Sequence, residues 1–358
     1  MGPTSKDVWN QKIPVPENTI SYVDEAIRKV LPSGLQIEGI SASGESYWAR
    51  TAKIKAIDSD GNEDSYFVKV HQGEHGKTMV SAEYEAMKTL YKLAPEMVPK
   101  PIAWGSFEDM PDIHFIVCEF HEMRKDALPD KTDFPAMVAE FHKRSASPDG
   151  KFGYPNPTFG GKNPQFFPLS DTWEECFRKG MEGCFAAELA THGPDEEFQR
   201  LTKLTLEKTI PRLLGALLEA DGGKIVPRLV HGDLWEGNCS VDDKTGVPMI
   251  FDGTPLYAHN EYKLGPWLCP RHRFPDHIDE YVKHFEASKP KEEFGDRIEL
   301  YCLRFDVHSS SLYAGNLFFR SVAQETMKKL VEKYQLDEGP EREKASGPRL
   351  ETGILSGK

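Results

Sequence analysis

The chain lacks three features that would quickly assign it to a class of protein. No apolar run approaches the length of a membrane span, and the polar start MGPTSKDVWNQK has no apolar signal core. Basic residues are in deficit, because 44 Lys and Arg face 57 Asp and Glu, for a formal net charge of −13. Nucleic acid is therefore not an expected main partner, since phosphate backbones select basic surfaces. We expect a cytoplasmic protein without a membrane partner.

Cysteines are few and have no CxxC spacing. This scatter favours reduced thiols of an intracellular protein over a disulfide framework. The cysteines are Cys118, Cys176, Cys184, Cys239, Cys269 and Cys302. The bulk composition is ordinary for a globular protein, with 39% hydrophobic and 28% charged residues. A length of 358 residues allows two lobes, each with its own core.

The pattern of elements changes along the chain. Residues 1–20 are interpreted as an N-terminal arm, and residues 21–122 as a lobe rich in antiparallel strands. Residues 123–336 have mostly helical patterns, and the charged, Gly-rich stretch 337–358 is predicted to be a disordered tail. The predicted fold class is α+β, with a small antiparallel-sheet lobe and a larger helical lobe.

Periodicity and turn residues place the individual elements. The predicted strands are 36–40, 47–57, 65–70, 98–102, 103–107 and 114–119. The predicted helices are 21–31, 81–93, 133–145, 172–190, 196–219, 293–311 and 315–334. The segment 148–170 is predicted to be a long irregular loop, because it is rich in Pro, Gly, Asn and Phe.

The most informative stretch is 231–252, HGDLWEGNCSVDDKTGVPMIFD. It contains His-x-Asp-x-x-x-x-Asn, then a short hairpin, then a second Asp. Phosphoryl transfer needs a base or orienter for the attacking hydroxyl, and oxygen ligands that hold magnesium against the phosphates. Asp233 suits the first role, and Asn238 and Asp252 suit the second. The alternative is a polar turn at HGD with Asp252 as a strand-end cap. We interpret His231 as a structural residue that braces the loop.

A cation near the phosphates of ATP is the next part that this chemistry requires. Lys69 lies on a predicted strand of the first lobe, ahead of a helix that carries acids, as in kinase-like folds. Glu83 and Glu85 both qualify as the partner that fixes the ammonium group. They lie on different faces of the helix, and periodicity barely separates them. We favour Glu85.

Two further positions are candidates for contact with the nucleotide. Ser43 and Gly44 belong to the loop SASGES between the first two strands, where small residues let backbone N–H groups approach phosphates. Taken alone, this loop is also an ordinary hairpin loop. Glu119 ends the strand that leads into the connection between the lobes, where backbone groups would meet adenine.

These residues carry a resemblance to a known family. HGDLWEGN, with Trp235 after the Asp-Leu pair, resembles the fructosamine kinase (ketosamine-3-kinase) family, and so does the downstream run IFDGTPLYAHNEYKLG. AEYEAMKTL is similar to the family helix whose acid pairs with the strand lysine, and that register points to Glu85. The resemblance covers about residues 30 to 335 and is closest in character to fungal members. The family belongs to the aminoglycoside-phosphotransferase branch of the protein-kinase-like fold.

The resemblance implies a function and a set of site residues. It implies transfer of phosphate from ATP, with Mg²⁺, to the 3-hydroxyl of ketosamines such as ribulosamines and fructosamines, on protein lysines or free amines. The 3-phosphate then falls away, so the amine is restored. Asp233 would be the base, and Trp235, His259 and Glu261 would face the substrate. We expect a monomer.

Two other functions stay open at this point. One is a kinase for another hydroxylated small molecule on the same scaffold, and the other is a nucleotide-binding pseudoenzyme. The segment PWLCPRHRF departs from the Gly-rich segment of many family members. It supplies Arg271, His272 and Arg273 near the predicted substrate side. A protein-serine kinase is disfavoured, because no APE-type activation segment follows Asp252.

Overall fold

The computed structural model describes residues 15–44, 46–124, 127–269 and 271–336. The predicted tail and most of the predicted arm lie outside these ranges. The described end of the arm is packed rather than extended, because Val15 is buried and its carbonyl accepts a hydrogen bond from Arg50 Nε at 3.1 Å. A 3₁₀ turn, Glu17–Ile20, follows. Within the described ranges, no helix is both long and apolar enough to cross a membrane.

The N-terminal part is a five-stranded antiparallel sheet in the order β1-β2-β3-β5-β4. Alternation explains its buried face: in β2, Ala52, Ile54 and Ala56 are buried, while the lysines between them point the other way. The strands are β1 (Gln36–Ala42), β2 (Arg50–Ile57), β3 (Glu63–Gln72), β4 (Pro101–Ser106) and β5 (Ile113–Glu119).

Two helices accompany this sheet. The first, α1 (Glu25–Val30), is capped by the Asp24 carboxylate, which accepts from the Ala26 N–H group at 2.8 Å. The second, α2 (Gly73–Leu93), starts well before the predicted residue 81. Its buried stripe begins at Gly76, where a Cβ would lie 2.8 Å from His71 Cβ. Because of these extra turns, α2 begins at Gly73, directly after β3 ends at Gln72.

The C-terminal part is mostly helical and contains the largest apolar core, which extends from α2 into the last helix. The predicted helix 196–219 is interrupted by a π turn at Thr205–Thr209, just ahead of Pro211, which has no N–H to donate. The helices are α3 (Asp133–Arg144), α4 (Trp173–His192), α5 (Glu196–Leu204), α6 (Ile210–Leu214), α7 (Gly265–Leu268), α8 (Pro275–His284), α9 (Phe294–Leu312) and α10 (Phe318–Lys333).

Short two-stranded ladders connect these helices and hold the loops of the site. The segment 148–170, predicted to be irregular, contains the hairpin β6 (Thr158–Gly160) and β7 (Asn163–Gln165). Two antiparallel pairs, β8 with β11 and β9 with β10, frame the stretch that begins at His231. Their bounds are β8 (Arg228–Val230), β9 (Cys239–Val241), β10 (Pro248–Ile250) and β11 (Leu256–Ala258).

Candidate active site

The predicted catalytic loop lies between β8 and β9, and the β9–β10 hairpin brings Asp252 back beside it. The Phe251 N–H group donates to the Asn238 carbonyl at 3.0 Å, which joins the two ends of the hairpin. The Asn238 side-chain amide donates to the Asp233 carbonyl at 2.8 Å and to Asp233 Oδ2 at 3.0 Å. Because the amide nitrogen is used in this way, the Asn238 side-chain oxygen points away from Asp233 and can face a cation.

His231 supports this loop from beneath, as the sequence predicts. Its Nε2 lies 3.0 Å from the Phe251 carbonyl, and the Asp233 N–H group donates to its Nδ1 at 3.4 Å. The ring therefore carries its proton on Nε2. Burial lowers the pKa of His231 to about 4, so the ring is neutral at physiological pH. This histidine joins the loop to the end of the strand that precedes Asp252.

A glycine is required between the histidine and the aspartate. Gly232 has φ of +83°, and a Cβ there would lie 1.9 Å from the Thr254 carbonyl oxygen. The same two segments are bonded to each other, because the Thr254 N–H group donates to the His231 carbonyl at 2.9 Å. A larger residue at position 232 would push the loop off the segment that follows Asp252.

Lys69 lies between two carboxylates that come from different parts of the fold. Its Nζ is 2.9 Å from Glu83 Oε2 on α2 and 3.0 Å from Asp252 Oδ1. Burial opposes the charge on Lys69, but Asp252 and Glu83 outweigh it and raise the pKa of the lysine. Burial also works against ionised Asp252, yet Lys69 holds its pKa below the usual value. Burial raises the pKa of Glu83, which makes it the more easily protonated of the two acids.

The prediction of Glu85 as the lysine partner is wrong. Glu85 lies 3.6 Å from Lys88 Nζ, one turn along the same helix, and both side chains are largely exposed. Glu83 lies on the face of α2 that also carries the buried Met87 and Leu90, at i, i+4 and i+7. That spacing is the sequence signal that identifies Glu83.

Asp233 sits in an environment that favours its neutral form. Burial raises the pKa of Asp233 to about 6, and this exceeds the opposing effect of the cation Arg304 and of His272. The carboxylate is therefore mostly ionised at neutral pH, yet it is a stronger base than an exposed aspartate. Asp252, at the end of the following hairpin, has φ of +53°, a left-handed conformation that is uncommon outside glycine and often found at functional sites.

Two aromatic rings and a carboxylate, from Trp235, His272 and Glu236, form a group near Asp233 that we call the wall. The Trp235 indole is half-buried, and its ring centroid lies 5.3 Å from that of His272. His272 Nδ1 is 2.9 Å from Glu236 Oε2. Trp235 is therefore not a core indole, which keeps it available as the predicted contact for a substrate.

His259 and Glu261 are not exposed to a substrate, so their predicted role is wrong. Both are fully buried in a network that joins the chain after β11 to α9. His259 lies 2.8 Å from Tyr301 Oη and 2.9 Å from Ser288 Oγ. Glu261 accepts from Arg297 Nε at 2.7 Å, which is a buried and fully compensated ion pair. Burial lowers the pKa of His259 to about 4.

Sequence reasoning also missed Arg304, which is fully buried on α9. Its guanidinium group donates to Gln165 Oε1 at the end of β7, and its charge lowers the pKa of Asp233. No local pattern marks this residue, because its partners lie far away along the chain. The predicted nucleotide contacts Ser43 and Gly44 lie at the β1–β2 turn, and Glu119 ends β5, so their roles stay predictions.

Comparison with protein families identifies the chain. The model named Fructosamine kinase matches residues 39–333. The chain belongs to the fructosamine kinase family. The protein-ribulosamine 3-kinase, chloroplastic, of Oryza sativa subsp. japonica is 31% identical over 261 residues, which cover 72% of this chain and 70% of the rice protein. This membership confirms the predicted family and makes the chain a phosphotransferase enzyme.

Solved structures confirm the protein-kinase-like, bilobal α+β fold of this fructosamine kinase family member. A Thermobifida fusca protein assigned as a fructosamine-3-kinase superposes with a TM-score of 0.67 at 18% identity, covering 87% of this chain and 99% of that one. A thermostable mutant of an aminoglycoside phosphotransferase, in ternary complex with ADP and hygromycin B, gives a TM-score of 0.53 at 16% identity, covering 85% and 96%. At these identities the likeness concerns the fold.

Proposed function

We propose that this enzyme transfers the γ-phosphoryl group of ATP to the 3-hydroxyl of ketosamines, either ribulosamines or fructosamines. The observation that carries the proposal is the grouping of Asp233, Asn238 and Asp252 opposite Lys69, in a chain of the fructosamine kinase family. The acceptor class follows from the name of the rice relative, a protein-ribulosamine 3-kinase.

Asp233 is the proposed base. Its carboxylate would accept the proton of the 3-hydroxyl as that oxygen attacks phosphorus. The Asn238 amide holds this carboxylate from one side at 3.0 Å, and the His231 ring holds the backbone beneath it. With a pKa of about 6, the group is ionised at neutral pH and accepts a proton more readily than an exposed aspartate does.

Asn238 and Asp252 are the proposed magnesium ligands. Both offer oxygen atoms, which suit a small hard cation that keeps several waters, so the residues fit the metal. Magnesium would neutralise charge on the β- and γ-phosphates. Asp252 would then turn from Lys69 toward the cation, and Glu83 would remain as the carboxylate that positions the lysine against the phosphates.

The remaining contacts divide between nucleotide and sugar. Ser43 and Gly44 would offer backbone N–H groups to the phosphates, and the chain near Glu119 would meet adenine. Trp235 would lie against the sugar ring, since an indole face packs well on the C–H face of a sugar. Loss of the unstable 3-phosphate would release the amine, so glycated protein lysines and small glycated amines would both be repaired.

A second candidate is a kinase for another hydroxylated small molecule. The observation that favours it is the likeness in fold to an aminoglycoside phosphotransferase, together with the polar wall formed by His272 and Glu236. A cationic or polyhydroxylated acceptor other than a ketosamine could meet this wall.

A substrate panel tests the proposal directly. ATP consumption with Mg²⁺ would be measured against ribulosamine, erythrulosamine and fructosamine compounds, with an aminoglycoside and choline as controls. Turnover on a ketosamine with loss of the sugar is expected, and Asp233→Asn should lower it by about 100-fold or more. Turnover on the aminoglycoside or choline alone would overturn the proposed acceptor. Thermal stabilisation by MgATP with no turnover on any ketosamine would also overturn it.

A further inference from the structure

Three buried side chains with metal-binding atoms meet behind the wall that carries His272. Cys269 follows α7, while Cys302 and Asp306 lie one turn apart on the same face of α9. The two helices touch through Gly265, where a Cβ would lie 2.7 Å from the Tyr301 carbonyl carbon. This close approach brings the thiol of Cys269 to the face of α9 that carries the other two groups.

The spacing of the three donor atoms fits one tetrahedral ion. One sulfur from each cysteine and one carboxylate oxygen all lie within 4.8 Å of one another. With Zn–S about 2.3 Å and Zn–O about 2.1 Å, two tetrahedral ligands are separated by about 3.8 Å for S···S and about 3.6 Å for S···O. The observed distance from Cys302 Sγ to Asp306 Oδ2 is 3.7 Å. The donors therefore need little movement to close around a cation.

The charges near this cluster also suit a divalent ion. Arg271 forms an ion pair with Asp306 Oδ1, the oxygen that does not face Cys302. A carboxylate held in this way is oriented from behind, as outer partners orient metal ligands in proteins. Two thiolates, one carboxylate, one guanidinium and one divalent cation sum to zero. A neutral group is the combination that burial penalises least.

We infer that Cys269, Cys302 and Asp306 form a site for a thiophilic divalent cation of the zinc type. Sulfur ligands select zinc over the magnesium proposed at Asn238 and Asp252, which needs oxygen donors. Binding would displace the two thiol protons to solvent. Three protein ligands would leave the fourth position to water. This inference stands independently of the proposed acceptor.

The site would act on the wall of the active site. Cys269 and Arg271 flank the start of the segment that places His272 against Trp235 and Glu236. A cation that joins Cys269 to α9 would hold this segment on the helix that also carries Arg304. The ion would therefore be a structural support for the substrate side, because its ligand Cys269 lies three positions before His272 in the chain.

X-ray absorption at the zinc edge tests the site on the full-length, zinc-loaded protein in magnesium buffer. We expect about one zinc per chain with two sulfur neighbours at about 2.3 Å. A shell of nitrogen and oxygen alone would overturn the inference. This measurement uses the native chain, so it does not depend on the folding of any variant.

Variants then assign the ligands. Cobalt titration should give a thiolate-to-metal absorption band. This band should be lost in Cys302→Ser, and in Asp306→Asn the cobalt affinity that it reports should be at least tenfold weaker. Cys176→Ser, at a cysteine buried elsewhere in the helical core, is the matched control and should keep the band. A band retained in Cys302→Ser would refute the assignment. So would a disulfide between Cys269 and Cys302, found by mass spectrometry in protein that takes up no zinc.

Discussion

Replacing Glu83 with glutamine should impair the enzyme far more than the same change at Glu85, two residues along the same helix. In the structure Glu83 and Asp252 share the Lys69 ammonium group, at 2.9 and 3.0 Å. If Asp252 turns to magnesium when MgATP binds, Glu83 becomes the only one of these two carboxylates that still positions the lysine. Glu83→Gln keeps the size of the side chain and an acceptor oxygen, but removes the charge.

The expected size of the effect follows from the type of contact. A hydrogen bond that involves charged groups contributes about 1.5–3 kcal/mol. Since about 1.4 kcal/mol corresponds to a factor of ten in rate, Glu83→Gln should lower kcat/KM for MgATP by about 10- to 100-fold. The Glu85–Lys88 pair is exposed and 3.6 Å long, so Glu85→Gln should stay within about twofold of wild type.

Steady-state kinetics with MgATP and a ribulosamine would measure both variants, with thermal unfolding to check that each is folded. Equal losses in Glu83→Gln and Glu85→Gln would refute the reasoning. A Glu83→Gln enzyme within about threefold of wild type would do the same, because it would mean that the carboxylate does not position Lys69.

Further outcomes are expected. Asp233→Asn should still bind ATP and lose about 100-fold or more in kcat; activity within threefold of wild type in a coupled assay would exclude the base role. With a pKa of about 6 for Asp233, kcat/KM should fall tenfold per unit below pH 6 and level off above pH 7, and a flat profile would contradict it. Asp252→Ala should abolish magnesium-dependent nucleotide binding in a calorimetric titration; unchanged affinity would count against the ligand role. His259 binds its proton near pH 4 when folded and near 6.5 when unfolded, so its burial weakens stability as pH falls through that window. Between pH 7 and pH 5 the free energy of unfolding, measured with urea, should fall by about 2 kcal/mol more in wild type than in His259→Gln. Equal losses would contradict this.

The sequence predicted the phosphoryl-transfer loop because its logic is local. A His-x-Asp-x-x-x-x-Asn spacing, a short hairpin and a following Asp bring Asp233, Asn238 and Asp252 together through neighbouring hydrogen bonds, whatever the rest of the chain does. The strands of the sheet were predictable for a similar reason, since period-two alternation needs no distant partner.

The error at His259 and Glu261 arose because distant residues decide their environment. His259 and Glu261 stand in a motif-like run and look available, but Arg297 and Tyr301 on α9 enclose them. The buried charge of Glu261 is tolerated because Arg297 compensates it, and this partner lies 36 residues away in the chain, too far for a local sequence pattern to show. The error at the lysine partner was local: the register of the resembled helix favours Glu85, but the buried Met87 and Leu90 place Glu83 on the inward face of α2.

The bonds around His231 have a consequence for motion in this enzyme. The His231 ring and carbonyl attach the loop of Asp233 to the segment that bears Asp252, so both carboxylates travel as one rigid body with the C-terminal lobe. Lys69 lies on β3 of the sheet, whereas Glu83 lies on α2, which packs against the C-terminal core as well. When the cleft opens, the distance between Lys69 and Asp252 changes, whereas the distance between Asp233 and Asp252 does not. The width of the cleft should therefore govern the capture and release of nucleotide, while the machinery for activating a hydroxyl stays assembled throughout.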